Sequence, residues 1–127
     1  MAVRVELSQR LQNTHGALAH VCKILFDEHI NLLTLSVDGG GLLRMVVNNH
    51  ASAIGSLRDR PYIVEQRDVL CVHVPKGPEG LGMVVRLLAD ADVNLEYVYG
   101  SLLEEQPVAV FIVGVSDPER VSAAVGI

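Results

Sequence analysis

Two short stretches of this 127-residue chain gather polar groups where an apolar-periodic segment begins: Asn13-Thr14-His15-Gly16-Ala17-Leu18 and Pro78-Glu79-Gly80-Leu81. The start of a helix leaves backbone N–H groups without intrahelical partners and carries the positive end of the helix dipole. It therefore favours a carboxylate or another small anion. Asn13 adds an amide that can cap the helix or meet a ligand, and Gly16 lets a ligand approach the backbone closely. The plain alternative is that both residues only cap and turn the chain. An α-amino acid, with carboxylate and ammonium on one carbon, fits such a site. Ile30, Asn31, Val93 and Asn94, just beyond the two periodic segments, are placed to complete it. A carboxylate at a helix start gains about 0.3–2 kcal/mol, whereas a millimolar Kd requires about 4 kcal/mol. A second surface must supply the rest.

Other chemistries find less support. His15, His20, His29, His50 and His73 form no His-x-x-x-His or Glu-x-x-His pair, and zinc needs four convergent ligands or three plus water, so no metal is expected. Cys22 and Cys71 lack Cys-x-x-Cys spacing and read as two buried thiols in a reducing compartment. His20 and Cys22, two apart on a helix, point in different directions. Glu104-Glu105 reads as a solvated hairpin pair. Asp38-Gly39-Gly40-Gly41 lacks the Lys-Ser/Thr of a phosphate loop and stands between two apolar runs, which marks a hairpin. No catalytic residue and no cofactor are assigned.

The elements that must position these residues come in two copies. Sliding the first so that Leu18 meets Leu81 also places Val21 on Val84, Lys23 on Arg86, Leu25 on Leu88, Asp27 on Asp90 and Asn31 on Asn94. Leu18, Val21, Cys22 and Leu25, like Leu81, Val84, Val85 and Leu88, fall on one helix face. Lys23 and Asp27, and Arg86 and Asp90, lie on the opposite side as a solvated face. Asn31 and Asn94 then break the period ahead of a strand.

A strand, an Asn-x-x-Gly-x-Leu loop, an amphipathic helix and an Ile-Asn-Leu exit resemble the ACT domain, a βαββαβ module of regulatory parts in amino-acid metabolism. The first copy has His15 where the family usually has Pro. In the second copy Pro78 is present but Glu79 separates it from Gly80. With both copies, the resemblance runs over nearly the whole chain and is to stand-alone tandem ACT proteins. It implies an amino acid or related metabolite as ligand, and a domain or subunit interface as the second surface the site needs.

Half of the residues are apolar, 4% are aromatic and the net charge is −5. The core should be aliphatic, and phosphate-backbone binding lacks the clustered cations it requires, so nucleic acid is not an expected partner. No apolar run approaches the roughly 20 residues of a membrane span, and the protein reads as soluble and cytoplasmic.

Taken in order, Val3–Leu7 is a strand, followed by the loop and first helix, strands at Leu32–Val37 and Leu42–Val47, and a short helix through Ala51–Leu57 capped by Asn48 or Asn49. A fourth strand, Tyr62–Gln66, is separated only by Arg67-Asp68 from the first strand of the second unit, Val69–Val74. The second helix, a strand at Leu95–Tyr99, a connection from Gly100 to Pro107, a strand at Val108–Val113 and a helix after Ser116 or Asp117 complete the chain. The expected fold is α+β: two ferredoxin-like βαββαβ units with antiparallel sheets, residues 1–67 and 68–127. The second unit still lacks a fourth strand where the sequence stops, so either residues are missing from it or a neighbouring unit or chain covers that edge. The function expected is a regulatory or sensor protein that binds an amino acid or related metabolite at the loops entering the two long helices and at domain or subunit interfaces, and that forms a homodimer. The alternatives are a protein-interaction module without a metabolite and, less favoured, an enzyme on the same fold.

Overall fold

The computed structural model describes residues 2–12, 14–58, 63–75, 78–101 and 107–125, and the side chains of all of these except 14, 15, 78, 124 and 125. The order of elements is β1 (Ala2–Arg10), α1 (Thr14–Asp27), β2 (Leu32–Val37), β3 (Leu42–Val47), α2 (His50–Arg58), β4 (Glu65–Pro75), α3 (Pro78–Asp90), β5 (Leu95–Ser101), β6 (Val108–Val115) and α4 (Pro118–Val125). The chain divides into an N-terminal unit, Val5–Arg67, and a C-terminal unit, Asp68–Ile127 together with Met1–Arg4.

In the N-terminal unit β1 and β3 pair antiparallel with Leu7 opposite Met45 and Gln9 opposite Leu43, and β2 joins β3 on the far side. Side chains alternate across a strand. Leu7, Leu11, Leu43, Met45 and Val47 thus share one face and pack against Val21, Ile24 and Leu25 of α1 and Ala53 and Leu57 of α2. The Asp38 hairpin closes as its composition predicts. The Gly41 N–H donates to the Asp38 carbonyl (3.0 Å), Gly41 takes φ 83°, and Asp38 Oδ1 accepts from the Gly40 (2.9 Å) and Leu42 (3.0 Å) N–H groups.

The C-terminal unit repeats this plan. Leu70, Val72 and Val74 of β4 and Ala109, Phe111, Val113 and Val115 of β6 pack under Val84 and Leu88 of α3 and Val121 of α4. The strand expected to be missing is supplied by the start of the chain: residues 2–4, the beginning of β1, belong to this unit, and Val3 packs against its core. Two cross-strand pairs set a glycine against an aromatic ring. A Cβ on Gly100 would lie 2.4 Å from Phe111 Cδ1, and one on Gly114 would lie 2.4 Å from the Tyr97 ring.

The copies match in details beyond side-chain type. The β2–β3 register slips between Leu32 and Thr34, and the β5–β6 register slips between Leu95 and Tyr97, so a bulge sits at equivalent places, Leu33 and Glu96. Both long helices end in the same cap. The Ile30 N–H donates to the Leu25 carbonyl (2.9 Å) and the His29 N–H to Phe26 (3.1 Å); Val93 donates to Leu88 (3.1 Å) and Asp92 to Ala89 (3.1 Å). His29 and Asp92 take φ 57° and 54°, the left-handed residue of a Schellman cap. The helices therefore stop ahead of Asn31 and Asn94. The short helices are capped alike, by Asn49 Oδ1 accepting the Ser52 N–H (3.1 Å) and Asp117 Oδ1 accepting the Arg120 N–H (3.2 Å).

Four sequence expectations are corrected. Of the expected strand Tyr62–Gln66, Tyr62 lies outside the described residues and Ile63 and Val64 precede the strand; β4 then runs unbroken from Glu65 through Arg67 and Asp68, joining what was expected as a separate strand at Val69–Val74, because neither residue supplies the positive φ or fixed ring that turns a chain. Gly100 lies inside β5, not in the connection after it. Cys22 is exposed; only Cys71 is buried. The inner row of α1 runs through Val21, Ile24 and Leu25, one position round from the expected row, and its outer side carries Phe26, 79% exposed. In α3, Val85 faces out in the same way as Cys22.

Candidate functional site

Both proposed loops prove to be largely helix. Thr14 to Leu18 form the first turn and a half of α1, and Pro78 to Leu81 the first turn of α3. Asn13 lies outside the described residues, as do the side chains of Thr14, His15 and Pro78. Gly16 is exposed, and Ala17 and Leu18 are half-buried against the core. Pro78 occupies the first helical position, where its missing N–H is no loss.

Alike in sequence, the two helix starts differ physically. The first turn of α1 contains no acidic residue, so nothing from its own sequence offsets the positive end of the helix there. The first turn of α3 carries Glu79, exposed, which already supplies a negative charge. Gly80 is buried, and a Cβ there would stand 2.6 Å from the Pro75 carbonyl oxygen and 3.0 Å from Val74 Cγ2. Its missing side chain lets α3 seat against the end of β4, so Gly80 serves packing.

The residues expected to complete the site do not lie beside it: Ile30, Asn31, Val93 and Asn94 follow the far ends of α1 and α3, about 20 Å from the helix starts at the rise of an α-helix. Ile30 is in the core, Val93 packs half-buried against the other core, and Asn31 and Asn94 are exposed. Asn31 is fixed by its backbone: its N–H donates to Asn48 Oδ1 (2.9 Å) and its carbonyl accepts the Asn48 N–H (3.1 Å). Asn48, read from sequence as a possible helix cap, instead anchors the lead-in to β2.

One residue was missed. Gln9 is 3% exposed on the core face of β1, and neither Oε1 nor Nε2 has a hydrogen-bond partner. The indication was available: in the alternation Val5, Leu7, Gln9, Leu11 a polar residue stands where the second copy has Val72.

Among the described residues no three of His, Cys, Asp and Glu converge as a metal site, and no described helix is long and apolar enough to cross a membrane. A family model described as an ACT domain pair matches residues 1–125. No curated protein matches the chain. Among solved structures, a protein of Bacteroides thetaiotaomicron is similar at 28% identity and a TM-score of 0.89, covering 98% of this chain and 87% of its own. The regulatory subunit of aspartate kinase from Thermus thermophilus is similar at 17% identity and a TM-score of 0.68, covering 99% of this chain and 96% of that one. Escherichia coli aspartokinase III in complex with lysine and aspartate is similar at 16% identity and a TM-score of 0.59, covering 98% of this chain and 31% of that one.

Proposed function

Because the chain belongs to the ACT domain pair family, we propose that it is a non-catalytic regulatory module that senses an amino acid, and that the carboxylate of the ligand binds at the start of α1. The observation that carries this reading is the α1 start, with an exposed Gly16 and no acidic residue in the first turn. The stretch Asn13-Thr14-His15-Gly16 is the proposed contact for the ligand head group; Asn31 follows the other end of the 14-residue helix and takes no part. The fold shared with aspartate kinase regulatory subunits supports a regulatory role. That a similar aspartokinase was solved with lysine and aspartate supports an amino acid as ligand.

The modest energy of one helix start requires a second surface. The reading supplies it by self-association: β2 is an edge strand and exposes Leu33 and Leu35, so a homodimer is expected by light scattering. A ligand that bridges the interface would shift subunit packing through its differential affinity for the two arrangements. Two free thiols support a reducing, cytoplasmic setting.

Thermal-shift screening of the common amino acids at millimolar concentration tests the reading. At least one amino acid should raise Tm, and Gly16→Leu, which crowds the α1 start, should remove that rise. A folded protein that responds to none of them favours the interaction-module alternative.

A further inference from the structure

We propose that Gln9 selects the ligand of the N-terminal unit, by pairing its buried carboxamide with the hydroxyl or carboxamide of a neutral polar amino acid held at the start of α1. This rests on the amino-acid reading above and adds the class of amino acid. Buried polar atoms in native proteins are paired almost without exception, because an unpaired amide away from water is costly. Both amide atoms of Gln9 are closed off from solvent and lack a partner.

The position is tied to the proposed site. Gln9 pairs with Leu43 and so points to the face that α1 covers, in line with Leu7 and Leu11. Only residues 11–13 separate β1 from α1, and Ala17 and Leu18 of its early turns pack on the same core. The amide thus sits near the end of the strand that leads into α1, on the face that the helix covers.

Nor does the fold require an amide there. The matched residue of the second copy, Val72, is equally buried, at 3% exposure, and packs within its apolar cluster. The unit with an acid-free helix start is also the unit with the unpaired amide; the unit whose helix start carries Glu79 has valine. A carboxamide is neutral and both donates and accepts, so it complements a hydroxyl or another carboxamide. A ligand ammonium or carboxylate brought to the same place would be a buried charge with no counter-ion. Both atoms are covered by protein, so the ligand reaches them only when the packing above β1 opens.

The test compares wild type with Gln9→Leu and Gln9→Val by calorimetric titration with L-threonine, L-asparagine and L-glutamine against L-valine and L-leucine. Both variants remove an unpaired buried amide and should melt no lower than wild type when no amino acid is added. Wild type should bind at least one of the three polar amino acids about ten-fold more tightly than the aliphatic pair, and either variant should lose that preference while keeping its affinity for the aliphatic ones. An unchanged preference in the variants, or a wild type that prefers valine or leucine, overturns the inference and leaves the amino-acid reading standing. A folded wild type that binds none of the five refutes the selection proposed for Gln9, and silence across the wider thermal-shift screen is what would remove the amino-acid reading itself.

Discussion

His29 and Asp92 take a backbone conformation that costs an L-residue with a Cβ energy that glycine avoids, and each does so to close a helix. Replacing either by glycine relieves that strain while enlarging the freedom of the unfolded chain. His29→Gly and Asp92→Gly should each stabilise the protein by about 0.5 kcal/mol, raising Tm by about 2 °C; a fall in Tm on calorimetric melting would contradict the assigned strain. Neither position was legible, because glycine is the usual mark of such a cap and here it is absent. Asp38 was legible as a turn residue, but not its electrostatics. The Leu42 N–H foremost, with the Gly40 N–H, Arg44 and Arg10, lowers its pKa below the usual carboxylate value against an opposing desolvation effect. A carboxyl whose pKa is lower in the folded than in the unfolded protein stabilises the fold above its unfolded value, and that contribution is lost as pH falls through the folded value. The Tm difference between wild type and Asp38→Ala should therefore be full at pH 7 and shrink below about pH 4. A difference that does not change with pH would contradict this.

At the scale of elements, two glycines of α3 make opposite predictions. Gly82 has nothing within 4 Å of a built Cβ, so Gly82→Ala should stabilise by about 0.5–1 kcal/mol through helix propensity alone. At Gly80 the same change meets the Pro75 carbonyl at 2.6 Å, a backbone atom that cannot swing aside, and should cost about 1–3 kcal/mol. Chemical denaturation of the two variants checks both; equal effects would mean that α3 does not seat on β4 as described. The helices, the hairpins and the duplication were visible because periodicity and turn chemistry are local. The unbroken β4 was misread, since two apolar runs separated by Arg67-Asp68 look like two strands, whereas one strand runs from Glu65 to Pro75 and only its part from Leu70 on pairs with β6. The bulges at Leu33 and Glu96 were invisible, because a register slip depends on the partner strand. The row through Cys22 was displaced by one position because Ile24 made a neighbouring row equally apolar.

For the whole molecule, the duplication was legible, yet each half does not simply own its residues. The C-terminal unit takes in the first residues of the chain, with Val3 on its core. Sequence had indicated a lacking strand, but it could not indicate where the replacement came from. The second loop already departed from the first in sequence, with Glu79 between Pro78 and Gly80, and the structure adds physical differences: α3 starts with Glu79 and a Gly80 pressed against β4, whereas α1 starts without an acid and follows the strand that carries the unpaired Gln9. Asn13 lies outside the described residues, so the account rests on α1 and β1 themselves. Calorimetric titration of the intact protein with the amino acid that gives the largest thermal shift tests this most directly. The account predicts saturable binding of one amino acid per chain, abolished by Gly16→Leu. Two equal sites per chain, or binding that survives Gly16→Leu, would contradict it.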